Sequence, residues 1–369
     1  MKRTKNPRIL LVAPLPPPIN GSCMVSQQIK DSHLVNDRFR CDWVNLSTSP
    51  RMEDLGKNSP TKILRYAASL LRTFWLLLTH RYRYCYLAIT CHGIPFLKNA
   101  PFVLLCKLFR RKIIIHHHNK GMSADVDKWP YKWLLPLVYR NAKVVLLSWR
   151  LYPDIERVVP KENVAICPNG IKDTFHDVDI ERNNATPHLL FLSNLIESKG
   201  VLVLLDALKI LTDRGVRYVC NYVGGETTEI DAERMTIEIN HRGLRDQVLY
   251  LGRKQGNAKA DILANSDVFV LPTYYSNECF PLVLLEAMQF ALPCITTDEG
   301  GIRDIVIDGE TGLICPKHDA TALADALQKL ITDKDLRRTM AKKAQTRQRE
   351  LFTEMAFENR MVEIITNCD

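Results

Sequence analysis

The chain has 369 residues, an apolar share of 46%, and 50 Lys+Arg against 41 Asp+Glu for a net charge of +9; this is enough for two α/β domains of roughly 150–200 residues each. No run reaches the roughly 18–20 uninterrupted apolar residues of a membrane span, and the eleven cysteines form no Cys-x-x-Cys pair, which argues against a zinc site or a disulfide framework and for reduced thiols in the cytoplasm. Residues 1–180 hold 28 Lys+Arg against 13 Asp+Glu and the remainder 22 against 28; with no basic heptad segment or zinc finger, the basic first half points to an anionic membrane or substrate and not to nucleic acid.

In chain order, residues 8–13 are a short apolar run of the kind that forms the central strand of a parallel sheet. A proline-rich loop follows and opens a helix near Met24, with Gly21 free to approach a ligand and Ser22 placed to cap. The stretch 60–86 has a helical part apolar almost all round, punctuated by Lys62, Arg65 and Arg72, with aromatics and further arginines at its end; it reads either as a surface helix on an anionic bilayer or as a core helix. Strands are expected at 87–90 and 112–115, each running into histidine, the second into His116, His117 and His118. Consecutive strand residues alternate faces, so these three cannot share one metal, while His116 and His118 point the same way. Asp125 and Asp127 read as a solvated turn.

Strands at 143–147 and 164–166 close the first half, and the polar, proline-ended stretch before Pro187 puts the boundary between Cys167 and Pro187. The alternation restarts with a strand at 188–192, a helix from Gly200, and a strand at 218–223 ending in Gly224 and Gly225. It continues to amphipathic helices after Ala320, as a doubly wound α/β domain requires.

Residues 267–272 are a buried strand feeding a loop and then a helix, in which Pro281 suits the first turn and Leu282, Leu285 and Met288 give the apolar spacing. The unpaired N–H groups of that turn, around Phe280, Pro281, Leu282 and Val283, make a site for phosphate. Glu278 in the loop and Glu286 in the helix can face one hydroxyl-rich ligand from two heights. Two glutamates at this spacing also arise as a solvated loop residue and a helix residue paired with a base.

The Glu278-to-Glu286 spacing, with the stretch at 291–316 that ends Asp308-Gly-Glu-Thr-Gly-Leu-Ile-Cys-Pro316, resembles the Glu-x7-Glu region of the retaining nucleotide-sugar glycosyltransferases of family 4, strongly over about residues 185–320. The resemblance implies the GT-B fold: two Rossmann-like doubly wound domains facing a cleft, at 1–175 and 176–350, with a C-terminal helix, 351–369, crossing back to the first. It further implies transfer of a sugar from a nucleotide-diphosphate sugar to a hydroxyl of a glycan or polyprenyl-linked acceptor, with retention, in bacterial surface polysaccharide synthesis. No cofactor or metal is implied. The enzyme would be cytoplasmic, peripheral at the inner face of the plasma membrane. A nucleotide-sugar epimerase of the same fold and a catalytically idle sugar-nucleotide-binding subunit are the alternatives.

Carried onto this chain, the resemblance assigns Lys199 to the diphosphate, Glu286 to the ribose, Glu278 to the sugar and His118 to the sugar as well, with His116 its rival. Gly21 falls in a loop where the family has a Gly-Gly pair, Asn20 replacing the first. Asn194 stands where the family has an arginine on the diphosphate, and Arg253 follows a strand where the family's backbone reads the base; it reads either as an exposed arginine, the default, or as supplying part of the missing charge.

Overall fold

The computed structural model describes residues 6–17, 21–47, 59–173, 182 and 184–368. The chain divides into two compact units, Met1–Asn169 with Glu354–Asp369, and Gly170–Thr353. In the first, β1 (Arg8–Ala13) leads through α1 (Gly21–Asp31) and α2 (His33–Arg38) to β2 (Arg40–Asn45). Then come α3 (Pro60–Thr79), β3 (Tyr84–Ala88), α4 (Gly93–Leu108), β4 (Lys112–His116), α5 (Tyr131–Tyr139), β5 (Ala142–Leu146) and β6 (Val164–Ile166). These strands pair in parallel in the order β2-β1-β3-β4-β5-β6. A parallel sheet is covered on both faces, which is why the central strand is apolar without alternation and Ile9 through Ala13 are fully buried.

The second unit runs β7 (His188–Leu192), α6 (Val201–Asp213), β8 (Val219–Val223), α7 (Ala232–His241), β9 (Val248–Tyr250), α8 (Gly256–Ala264), β10 (Val268–Leu271), α9 (Leu282–Gln289), β11 (Cys294–Thr297), α10 (Ile302–Ile305), β12 (Gly312–Cys315), α11 (Ala320–Thr332) and α12 (Lys334–Leu351). Its parallel sheet has the order β12-β11-β10-β7-β8-β9. The last helix, α13 (Glu354–Thr366), belongs to the first unit, where it packs on α2 and its Phe357 carbonyl accepts from Cys167 Sγ at 3.8 Å. Both units are therefore doubly wound, as the alternation predicts.

In each sheet the chain leaves its first strand in one direction and later returns to the strand's other side. The loops leaving the carboxyl ends of β1 and β3, and of β7 and β10, consequently diverge, and such switch points are where open α/β sheets hold ligands. Right-handed crossovers put α3, α4 and α5 side by side on one face of the first sheet. Direct contacts agree: Tyr66 Oη donates to the Lys98 carbonyl at 3.0 Å, and Lys107 Nζ to the Leu137 carbonyl at 2.6 Å.

Several local expectations are corrected. β3 is Tyr84–Ala88, not 87–90, because Tyr84 and Tyr86 are core residues, fully buried, that the neighbouring arginines disguise as the end of a helix. The helix expected near Met24 already begins at Gly21, so Ser22 lies inside its first turn and does not cap it; residue 20 lies outside the described residues. α3 is not a core helix: only Thr73 and Leu77 are buried along it. Nor is Asp125 solvated, for its carboxylate is buried, accepts from the Gly93 N–H at 2.8 Å and pairs with Lys128 at 2.9 Å. Burial would raise its pKa, but these donors outweigh burial and hold it below the usual range. Asp127 remains on the surface in a bidentate pair with Arg157.

Candidate active site

At the second unit's switch point, two loops are stitched together by contacts that only glycine permits. Gly200, at φ +87°, closes the loop after β7; a Cβ there would lie 2.3 Å from the Pro272 carbonyl oxygen at the end of β10. Tyr274 N–H donates to the Ser198 carbonyl at 2.8 Å. On the other side Gly300, at φ +56°, presses the loop after β11 against Glu278, its would-be Cβ 2.2 Å from the Glu278 carbonyl oxygen, and Gly301 N–H donates to the Cys279 carbonyl at 2.7 Å.

This clamp delivers Lys199 and Glu278 to one point. Lys199 Nζ lies 2.5 Å from Glu278 Oε2, with side-chain exposures of 15% and 9%, and 4.5 Å above the ring of Tyr275. The loop glutamate is thus neither solvated nor alone. A carboxylate and an ammonium so shielded from water interact strongly, and the aromatic face beneath favours the cation further. Nothing in the sequence between them marks Tyr275 as the third member.

Glu286 sits on the half-buried side of α9, where Lys259 Nζ of α8 approaches Oε1 at 2.7 Å. The helix glutamate is therefore paired with a base, one that sequence reasoning did not identify. α9 itself begins at Leu282, one residue later than expected, and Pro281 is its N-cap with ψ 119° and no side-chain cap. The imide ring still fits, because that position needs no N–H for the helix ladder. Helix geometry leaves the first-turn N–H groups, Leu282 and Val283 among them, without intrahelical acceptors. Leu282 is half-buried while Leu284, Leu285, Ala287 and Met288 form the core face, so Leu285 and Met288 lie in the core as expected and Leu282 does not. Phe280 and Pro281 are buried, Phe280 edge-on to Phe352 at 5.6 Å.

Asn194 and Arg253, distant in sequence, come together over Gly225. A Cβ on Gly225 would be 3.2 Å from Asn194 Oδ1 and 3.9 Å from Arg253 Cδ. Gly224 lets the loops after β7 and β8 cross, since its Cβ would fall 1.7 Å from the Ser193 carbonyl oxygen. Both Asn194 and Arg253 are exposed, and with the Gln255 amide flipped so that its oxygen faces Arg253, that oxygen accepts from the guanidinium at 3.0 and 3.2 Å.

In the first unit the three histidines leave β4 on alternating sides. His116 is fully buried, its Nδ1 2.8 Å from Tyr86 Oη; His117 turns the other way, its Nε2 2.8 Å from Tyr139 Oη. His118 is half-buried, its ring centroid 4.2 Å from that of His116. Burial, with His118 and His117 adding to it, lowers the His116 pKa well below the usual range; burial takes His117 to about 4, and burial together with His117 takes His118 to about 4. All three are neutral near pH 7. Of the pair facing one way, His118 is the one with access to solvent. Gly21 opens α1 at the β1 end of the same sheet, exposed, with no atom within 4 Å of a Cβ built on it, so the chain's own packing does not demand glycine there.

Residues 173–347 match the family model of glycosyl transferases group 1. The match spans most of the second unit, including Lys199, Glu278 and Glu286. Over 278 residues the chain is 29% identical to alpha-D-kanosaminyltransferase of Streptomyces kanamyceticus, covering 71% of this chain and 67% of that one. It is 29% identical over 163 residues to the capsular polysaccharide biosynthesis glycosyltransferase CapM of Staphylococcus aureus, 44% of this chain and 41% of that one; this alignment spans less than half of the relative's length. Anabaena HepE in complex with UDP superposes with a TM-score of 0.76 at 18% identity, over 97% of this chain and 99% of that one. The fold is GT-B.

Proposed function

We propose that the chain is a retaining glycosyltransferase that moves a sugar from a nucleotide-diphosphate sugar to a hydroxyl of a glycan or polyprenyl-linked acceptor in bacterial surface polysaccharide synthesis. The observation that carries this reading is the Lys199–Glu278 pair beside the uncapped start of α9, at a switch point inside the region that matches glycosyl transferases group 1. Breaking the bond from the anomeric carbon to the diphosphate leaves negative charge on the departing oxygen. Lys199 and the first-turn N–H groups of α9 are donors fixed before reaction, and fixed donors stabilise such charge at little reorganisation cost.

The remaining roles follow from acceptor chemistry. Glu286, steadied by Lys259, takes the ribose hydroxyls; Glu278 takes sugar hydroxyls when Lys199 turns to the diphosphate. His118, neutral and partly accessible, is the first unit's side chain that we assign to the sugar, and Arg253 beside Asn194 supplies cationic charge toward the nucleotide. The new bond forms between the acceptor oxygen and the anomeric carbon, and the hydroxyl proton leaves with the diphosphate or to water. No cofactor or metal enters this scheme. The names of CapM and of HepE's ligand support the acceptor class and a uridine nucleotide as the first donors to try. A lipid-linked acceptor would place the enzyme at the cytoplasmic face of the membrane.

A thermal-shift screen of nucleotide sugars tests the donor site. One nucleotide sugar should raise the midpoint of the wild type and fail to raise that of Glu286→Ala; a ligand that stabilises both equally would refute this site.

A further inference from the structure

The described residues that the sugar-transfer site leaves unused include one broad surface on the α3, α4 and α5 side of the first sheet. α3 carries apolar side chains on its outward face as well as toward the sheet. Leu64, Leu71, Trp75 and Leu78 follow one another at helical spacing and are 69, 69, 62 and 58% exposed, a second apolar stripe where a soluble helix would be polar. Across α4, Trp129, Trp133 and Leu137 repeat every fourth residue along and before α5, at 80, 70 and 53% exposure. The edge-on pair of Phe74 and Phe109, 5.9 Å apart, joins α3 to the end of α4, and Lys107 ties α4 to α5, so the two stripes lie on one continuous face.

Charge along this part of the chain is mostly of one sign. Between Ser59 and Pro153 the sequence has 16 Lys+Arg and only two acids, Asp125 and Asp127, and both acids are engaged by Lys128 and Arg157. Lys132 lies 5.4 Å over the Trp133 ring. A second copy of the chain would bring like charges together across such a surface. An anionic bilayer instead offers an apolar interior to the leucines, a headgroup layer suited to tryptophan, and negative charge to the flanking cations. No helix among the described residues is long and apolar enough to cross a membrane.

We infer that the outer face of α3 and α5 docks on an anionic lipid bilayer, with Trp75, Trp129 and Trp133 entering the headgroup layer. This deepens the proposed function by naming the surface that brings a lipid-linked acceptor within reach. The test uses no donor or acceptor, so its failure would leave the sugar-transfer reading standing. The full chain is sedimented with pure phosphatidylcholine vesicles and with vesicles containing phosphatidylglycerol, while tryptophan emission is followed with brominated lipids as quenchers.

The expected result is binding to the anionic vesicles alone, weakened about tenfold or more by molar salt as the screening length shrinks, with quenched and blue-shifted emission. Trp75→Ser with Trp133→Ser should weaken binding at least about tenfold and leave the thermal midpoint unchanged, since both side chains are exposed. Lys132→Glu with Arg72→Glu should weaken it similarly without loss of tryptophan. Absence of binding to anionic vesicles at low salt would overturn the inference. So would binding unaffected by either double variant, or a lipid-free dimer that the tryptophan variant dissolves, which would make this face a self-association surface.

Discussion

Lys199 is shared between the Glu278 carboxylate at 2.5 Å and the Tyr275 ring at 4.5 Å, so replacing any of the three alters the charge balance of one nearly dry point. Lys199→Ala should cost on the order of 10²-fold or more in turnover, the usual loss for a donor aimed at developing charge; near wild-type turnover in the folded variant would remove Lys199 from the site. Because it also strands a buried carboxylate, the same change should lower stability by about 1.5–3 kcal/mol, read from a urea midpoint. Lys259→Ala should act through Glu286, raising the donor KM several-fold with little change in kcat, because it loosens a binding residue without touching the reacting atoms. For the histidines, His118→Ala should lower kcat and spare binding of free nucleoside diphosphate. If His116→Ala does so and His118→Ala does not, the assignment moves by two residues. As candidate positions, Glu278 and Glu286 were legible in a short spacing after a strand end, and Lys199 through the family resemblance; the structure adds that Lys199 and Glu278 meet. Lys259 and Tyr275 were not legible, since their roles arise from loops meeting in space and no motif records that meeting.

Among the elements, β1, β6 and β7 run where their apolar stretches predict, because strands buried on both faces need uninterrupted apolar residues with clear ends. β3 was misplaced because its tyrosines belong to the core while arginines flank them, and α3 could not be assigned to core or surface because a helix apolar all round reads the same in either place. The glycines of the clamp make a direct test at this scale. Gly300→Ala would force a Cβ to 2.2 Å from the Glu278 carbonyl at φ +56°, and should destabilise by about 2 kcal/mol or more while lowering turnover through displacement of Glu278. Gly21→Ala, with open space around it, should fold normally. β4 supplies a pH prediction. Burial lowers the His117 pKa from 6.5 to about 4, so below the unfolded value the unfolded chain binds the extra proton and stability falls with falling pH. On the order of 3 kcal/mol should be lost between about pH 6.5 and 4. His117→Phe, which cannot titrate, should make that window shallower in urea midpoints taken across pH while His116 and His118, depressed in the same direction, keep their share; an unchanged slope would show that His117 contributes nothing to it.

At the scale of the molecule, two doubly wound units were foreseeable from the length and from the restart of strand–helix alternation near His188, and the return of α13 to the first unit accompanies the GT-B fold. What sequence alone did not separate is transfer from isomerisation, because both would draw on the same sugar-nucleotide contacts. The most direct measurement is a product analysis. The purified chain is incubated with the nucleotide sugar that stabilises it and a polyprenyl-diphosphate-linked acceptor, and the product is examined by mass and by proton NMR at the anomeric position. The account predicts an acceptor heavier by one sugar, joined with the anomeric configuration of the donor, and no product from Lys199→Ala. An isomerised sugar nucleotide with an unchanged acceptor, or a sugar attached with inverted configuration, would contradict it.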